Sequence, residues 1–124
     1  MKVLLVEDLD DSRVVLRALL ERLGHKVVEA ANGREAVKTA VDHKPDVVLM
    51  DLSMPEVDGL QATGALRAIS HFSHSNQLPI IAITAYPETL SRDKAFKAGC
   101  DGYLKKPVDL VNLAGALVRF ARTA

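Results

Sequence analysis

Three carboxylates, one hydroxyl and one ammonium group stand at or just beyond the ends of short apolar runs, and together they could make a magnesium and phosphoryl site. Lys2-Val3-Leu4-Leu5-Val6 leads into Glu7-Asp8, and Val47-Val48-Leu49-Met50 leads into Asp51. Pro79-Ile80-Ile81-Ala82-Ile83 leads into Thr84, and Tyr103-Leu104 is soon followed by Lys106-Pro107. Buried strands tolerate few charges along their length, so charges at their ends gather at one rim of a sheet. Asp8 and Asp51 offer hard anionic oxygens, and Glu7 could hold a metal-bound water. That set suits Mg²⁺ or Mn²⁺, which favour octahedral oxygen coordination with waters retained. A lone acid at a strand end is commonly just solvated. Three acids converging are harder to read that way.

Lys106 among these carboxylates would relieve their repulsion and counter the charge of a transferring phosphoryl group. Taken alone it reads as an exposed lysine beside a turn proline. Lys105 should point elsewhere if the chain is still extended there. Thr84 could donate a hydroxyl hydrogen bond to a phosphoryl oxygen, or simply finish a strand as β-branched residues often do. His25, His43, His71, His74 and Cys100 fall near helix ends or in helix-to-strand connections, at the far end of the expected sheet. Zinc binding and Cys/His or Ser/His catalysis are therefore poor readings. Acidic Glu7-Asp8 stands where a Gly-rich phosphate loop would follow the first strand, which argues against a dinucleotide fold and a P-loop.

These residues must be positioned by alternating strands and helices. Ser12 to Leu23 carries Val15, Leu16, Leu19, Leu20 and Leu23 as a helical apolar stripe closed by Gly24. Lys26 to Ala30 reads as a second strand. Asn32 caps a second helix, with Glu35 completing a capping box. The third strand, 46–50, runs into Asp51 and a loop punctuated by Pro55 and Gly59. A third helix spans about Leu60 to Ile69, and the polar stretch Ser70 to Gln77 leads to the fourth strand. Pro87 suits the first turn of a fourth helix, which Gly99 ends. A short fifth strand lies near Asp101 to Leu104. Asp109 caps a last helix with Leu110, Leu113, Ala114, Leu117 and Ala121 on one face, widened by Val111, Val118 and Phe120.

Five strand-then-helix units predict an α/β fold: a doubly wound parallel sheet of flavodoxin-like order 2-1-3-4-5 with helices on both faces. Ligands in such a sheet sit beyond the carboxyl ends of strands 1 and 3, where the winding reverses. Glu7-Asp8 and Asp51 fall there.

Bulk properties fit one domain over 1–124, of the usual size and able to bury its own core. The 16 basic and 16 acidic residues cancel, so bulk charge predicts no binding to nucleic acid or anionic lipid. A single cysteine excludes an internal disulfide and suits a reducing compartment. No apolar stretch approaches a membrane span, and a strand beginning at Lys2 leaves no room for a signal peptide, so a cytoplasmic location is expected.

The whole chain resembles the receiver domain of bacterial two-component response regulators, including the chemotaxis regulators. The resemblance rests on Val3-Leu-Leu-Val-Glu-Asp8, Asp46-Val-Val-Leu-Met-Asp-Leu-Ser-Met-Pro55 with Asp58-Gly59, Pro79-Ile-Ile-Ala-Ile-Thr-Ala85, Ala98-Gly-Cys-Asp-Gly-Tyr103 and Lys106-Pro107. Any one fragment is weak; all of them in order and at family spacing are specific. The resemblance implies that Asp51 is the phosphoacceptor, attacking phosphorus in line to form an acyl phosphate. It implies Mg²⁺ bound by Asp8, Asp51 and the backbone carbonyl of Ser53, with Glu7 acting largely through water. Lys106 would contact the phosphoryl group, with a cis peptide often preceding the matching proline. Thr84 would move toward the phosphoryl oxygen, and Tyr103 would be the aromatic switch that turns inward with it. Read without the family, Tyr103 is an aromatic packed in an edge strand.

A sensor histidine kinase or a histidine phosphotransfer protein would donate the phosphoryl group. The surface of helix 4, strand 5 and helix 5 would then change its affinity for a downstream protein, and the wide apolar arc on helix 5 fits either that surface or broad core packing. The expected chemistry is confined to the domain's own phosphorylation and dephosphorylation, with no metabolite turned over. The acidic pair is Glu-Asp rather than Asp-Asp, a variation that should preserve metal binding. Ser53 and Tyr86 stand two residues beyond Asp51 and Thr84, at positions that the resemblance implies tune loss of the phosphoryl group.

Three other readings fit less well. A magnesium-dependent aspartyl phosphohydrolase would want a second acid two residues after its nucleophile, where Ser53 stands. A receiver-shaped interaction module without phosphorylation would not need Asp8, Asp51, Thr84 and Lys106 together. A flavin-binding protein would want a hydroxyl- and Gly-rich loop after the first strand.

Overall fold

The computed structural model describes residues 1–52, 59–72, 78–85 and 88–120. Strands β1 (Lys2–Val6), β2 (Lys26–Ala30), β3 (Val47–Asp51), β4 (Ile80–Thr84) and β5 (Gly102–Lys105) alternate with helices. The helices are α1 (Asp10–Arg22), α2 (Gly33–His43), α3 (Gly59–Phe72), α4 (Glu88–Ala98) and α5 (Leu110–Phe120). All strand pairs are parallel, in the order β2-β1-β3-β4-β5. This is the flavodoxin-like order expected from the alternation, and β1 and β3 lie side by side at its switch point.

The three central strands are buried on both faces, which explains why they read as continuous apolar runs rather than alternating ones. Alternation still sorts their side chains between two cores. Val3, Leu5, Val47, Leu49, Ile81 and Ile83 pack with Leu16 and Leu20 of α1 and with Leu113 and Leu117 of α5. Leu4, Val6, Val48, Met50, Ile80 and Ala82 pack beneath α2, α3 and α4, through residues such as Ala36, Ala62, Leu66 and Ala95.

Local signals place most boundaries. Asn32 Oδ1 accepts from Glu35 N at 2.9 Å, and Glu35 Oε2 accepts from Ala31 N at 2.7 Å, a capping box whose return bond reaches one residue further back than usual. Asp109 Oδ1 accepts from Asn112 N at 2.7 Å at the start of α5. Gly24 takes φ +90° just after α1, a conformation that glycine reaches without steric cost. β3 and β5 each run one residue beyond the expected end, to Asp51 and Lys105, and α3 continues through Phe72. Pro55, Pro87, His74, Ala121 and the end of the polar stretch, 73–77, lie outside the described residues.

Two apolar expectations need correction. Val15 lies on the solvent side of α1, while Leu16 and Leu20 are buried. The widened arc of α5 is not a broad core face, since Val111 and Val118 are 80% and 85% exposed while Phe120 packs inward. At about 100° per residue Val15 stands at the margin of the buried stripe of α1, where the distance to the sheet decides its side, whereas Val111 and Val118 stand roughly 140–160° around α5 from Leu113, on its far face.

The end of the sheet opposite Asp51 is tied by Arg67 of α3. Its guanidinium donates to Leu78 O at 2.8 Å, Gly99 O at 2.6 Å and Asp101 Oδ2 at 2.8 Å, joining the entries to β4 and β5. Among the described residues, no helix is long and apolar enough to cross a membrane.

Candidate functional site

Strand alternation explains why the acids and the lysine meet. Glu7 follows the α1/α5-facing Leu5 by two residues, Asp51 follows Leu49, and Lys106 follows Leu104, which packs in the same core. Continued past the last paired residues, that parity turns all three side chains to one side of the rim. Carboxylate oxygens of Glu7, Asp8 and Asp51 all lie within 4.8 Å of one another. Lys106 Nζ stands 3.0 Å from Glu7 Oε2 and 3.6 Å from Asp51 Oδ1. Glu7 and Asp51 are buried, and Asp8 is half-buried.

Lys106 is held at this place by its backbone, whose N–H donates to Thr84 O at 2.9 Å. The Lys106–Pro107 peptide is cis. Lys105, one residue earlier, is exposed and stands apart from the cluster. Gly59, which opens α3, sits against the end of β3. A Cβ there would stand 2.5 Å from Asp51 O and 2.8 Å from Leu52 Cα, so the approach of α3 to the acidic rim requires glycine.

The electrostatics follow from crowding. Burial pushes Glu7 up to about 7, and the neighbouring Asp51 adds to the rise, while Lys106 and the Leu9 amide oppose it. Burial alone would lower Lys106, but Glu7 and Asp51 outweigh it and hold the lysine above its ordinary value. One ammonium therefore does not neutralise this rim. The surplus negative charge, carried wholly by oxygen donors, fits a hard divalent cation; Glu7, Asp8 and Asp51 are the groups that could hold it. Their chemistry suits Mg²⁺ or Mn²⁺.

Thr84 ends β4, buried, one strand away from Asp51. Tyr103 pairs with Ala82 in the β4–β5 register and packs, half-buried, against the core beneath α2, α3 and α4. Ala82 and Thr84 share a face by alternation, so Thr84 and Tyr103 belong to the same side of the sheet, opposite to the side to which Glu7, Asp51 and Lys106 turn. Ser53 lies outside the described residues. Of the described histidine side chains, His25 and His43 lie away from the rim. His25 Nδ1 lies 3.2 Å from the Met1 amino group, and His43 offers its carbonyl to Lys2 Nζ. Cys100 is buried with Sγ 3.6 Å from Thr63 Oγ1.

One residue at the rim was not singled out from sequence. Arg13, on the first turns of α1, donates from Nη1 to Glu7 O at 2.8 Å and also pairs with Asp10. Its only sequence signal is an arginine six residues after a strand-end acid, at the helical position that faces back along the strand.

Comparison with known proteins agrees with this geometry. The family described as Response regulator receiver domain matches residues 3–118. Polar-differentiation response regulator DivK of Brucella anthropi is 34% identical over 108 residues, covering 87% of this chain and 85% of its own length. The receiver domain of sensor histidine kinase PA1611 from Pseudomonas aeruginosa, solved with a magnesium ion in its active site cleft, is 35% identical with a TM-score of 0.83, over 96% of this chain and 95% of that one. The receiver domain of Saccharomyces cerevisiae Ssk1, solved with the histidine phosphotransfer protein Ypd1, superimposes with a TM-score of 0.89 at 27% identity, over 98% of this chain and 88% of that one. A sheet of order 2-1-3-4-5 with acids at its switch point, matched along nearly its whole length, makes this chain a member of the response-regulator receiver family, the signalling domains of two-component systems.

Proposed function

We propose that this chain, as a single receiver module in the cytoplasm, is a switch set by phosphorylation of Asp51. The observation that carries the reading is the packing of buried Asp51 with Glu7, Asp8 and Lys106 at the β1/β3 switch point. A phosphohistidine of a sensor histidine kinase or a histidine phosphotransfer protein is the donor. An Asp51 carboxylate oxygen forms a bond to phosphorus as the phosphorus–nitrogen bond breaks, and the imidazole leaves with a proton. Bound Mg²⁺ supplies charge neutralisation for the phosphoryl oxygens. Asp8 and Asp51 would hold it, together with the carbonyl of Ser53, which lies outside the described residues, and Glu7 would act largely through water. Lys106 counters charge on the transferring group. The magnesium-bound PA1611 domain and the Ypd1-bound Ssk1 domain support this choice of cofactor and donor.

Thr84 moves toward the new phosphoryl oxygen, and Tyr103, on the same side of the sheet, turns inward with it. The surface of α4, β5 and α5 then changes its affinity for a downstream protein. The exposure of Val111 and Val118 on α5 supports a protein-binding role for that helix. The domain catalyses its own phosphorylation and dephosphorylation and turns over no metabolite.

Intact mass after incubation with Mg²⁺ and acetyl phosphate tests the chemistry. One phosphoryl adduct that needs Mg²⁺, is lost in alkali and is absent from Asp51→Asn is expected. Failure to form either this adduct or a beryllium fluoride complex would overturn the reading in favour of a receiver-shaped interaction module.

A further inference from the structure

The acids of the rim ride on the short connection from β1 to α1, residues 7–9, and that connection has few internal ties. Leu9 precedes α1 without a side-chain cap. Within the connection, Leu9 N donates to Glu7 Oε1 at 3.2 Å. Glu7 N also donates to Ala30 O at 3.1 Å, joining the start of the connection to the end of β2, and a further tie comes from Arg13. Its Nη1 donates to Glu7 O at 2.8 Å, Nη2 pairs with Asp10, and Nε lies 3.7 Å from Glu29 of β2. Arg13 N in turn donates to Leu9 O at 2.9 Å. One half-buried arginine therefore clasps both ends of the acidic connection and ties it to a neighbouring strand. A planar, multiply donating group suits that task in a way an ammonium does not.

We infer that Arg13 is a positioning residue for the metal site, fixing the backbone that presents Glu7 and Asp8. The inference rests on the proposed Mg²⁺ site. Its sign separates it from simple charge effects. Removing a cation near an acidic cluster should strengthen Mg²⁺ binding through space. Removing a group that orders the ligands should weaken it, by about tenfold as for other residues that orient metal ligands.

The test compares wild type, Arg13→Ala, Arg13→Lys and Arg17→Ala by calorimetric titration with Mg²⁺ alone, and by amide exchange of the metal-free proteins. Arg17 shares Glu29 with Arg13 but, among the described residues, pairs only away from the rim, with Glu29 at 2.9 Å and Glu21 at 3.4 Å. Expected are about tenfold weaker Mg²⁺ binding in Arg13→Ala, partial recovery in Arg13→Lys and wild-type binding in Arg17→Ala. The Leu9 amide should exchange faster in metal-free Arg13→Ala, while that of Leu49 in the core does not. Mg²⁺ binding in Arg13→Ala that equals or exceeds wild type would overturn the inference. If Arg13→Ala does not fold, Arg13→Lys decides alone, and unchanged binding and Leu9 exchange there overturn it. Wild type that binds no Mg²⁺ would instead sink the proposed function, and this inference with it.

Discussion

Lys106 stands between two acids that would otherwise face each other across the rim, 3.0 Å from one and 3.6 Å from the other. Replacing it with methionine keeps the apolar stem and removes the charge. Glu7 and Asp51 are then left buried with no ammonium between them, a situation that costs several kcal/mol for a fully buried pair. Lys106 retains some exposure, and Glu7 can escape by holding a proton. The expected loss in metal-free Lys106→Met is therefore about 1–2 kcal/mol at pH 7. Urea denaturation measures it, and midpoints matching wild type would show that the lysine matters only to the phosphoryl group. Glu7, Asp8, Asp51 and Lys106 were legible in sequence because charge at the end of an apolar run has few places to go. Arg13 was not, because an arginine on a helix has many.

At the scale of elements, the contact between the start of α3 and the end of β3 sets how Asp51 is presented. Gly59 permits it, and the missing side chain leaves Asp51 O and Leu52 Cα where a Cβ would collide. Gly59→Ala forces β3 and α3 apart. It should destabilise the fold by about 1–3 kcal/mol, the usual cost of overpacking, and also weaken Mg²⁺ binding. A variant with a lower urea midpoint but wild-type Mg²⁺ affinity would mean that the strain is absorbed within α3, away from the acids. Helix and strand identities were plain from periodicity, caps and glycines. Their margins were not: Val15 adjoins the buried stripe of α1 but faces water.

For the molecule as a whole, Cys100 couples the fold to alkaline pH from the end of the sheet away from the acids. Burial pushes its thiol up to about 11 from an ordinary value of 9.0, with Asp101 adding to the rise and Thr63 and Arg67 opposing it. In the unfolded chain the thiol ionises near its ordinary value, so between about pH 9 and 11 the folded state binds more protons than the unfolded one. Stability contributed by the neutral thiol is thus complete below pH 9 and falls as pH rises toward 11. Cys100→Ala lacks this loss, while tyrosines and lysines titrate alike in both proteins. The urea midpoint of Cys100→Ala relative to wild type should therefore be higher at pH 10.5 than at pH 7. A constant difference would show the thiol to be as acidic in the fold as outside it.

The amino-acid sequence by itself determined the sheet, its winding and the end at which the acids gather. Apolar runs too short and too continuous for surface strands, separated by capped helices, leave few topologies once crossovers must be right-handed. It also determined which acids and which lysine stand at the rim, through position relative to strand ends. Tertiary structure decided what depends on distance between chain segments: that Glu7 is crowded enough to hold its proton near neutrality, that Val15 at the edge of the α1 stripe faces water, and that Arg13 reaches back to the Glu7 carbonyl. Periodicity assigns a side chain to a face, whereas burial and electrostatics depend on how closely the next element approaches that face, and that separation is set only when the whole core packs.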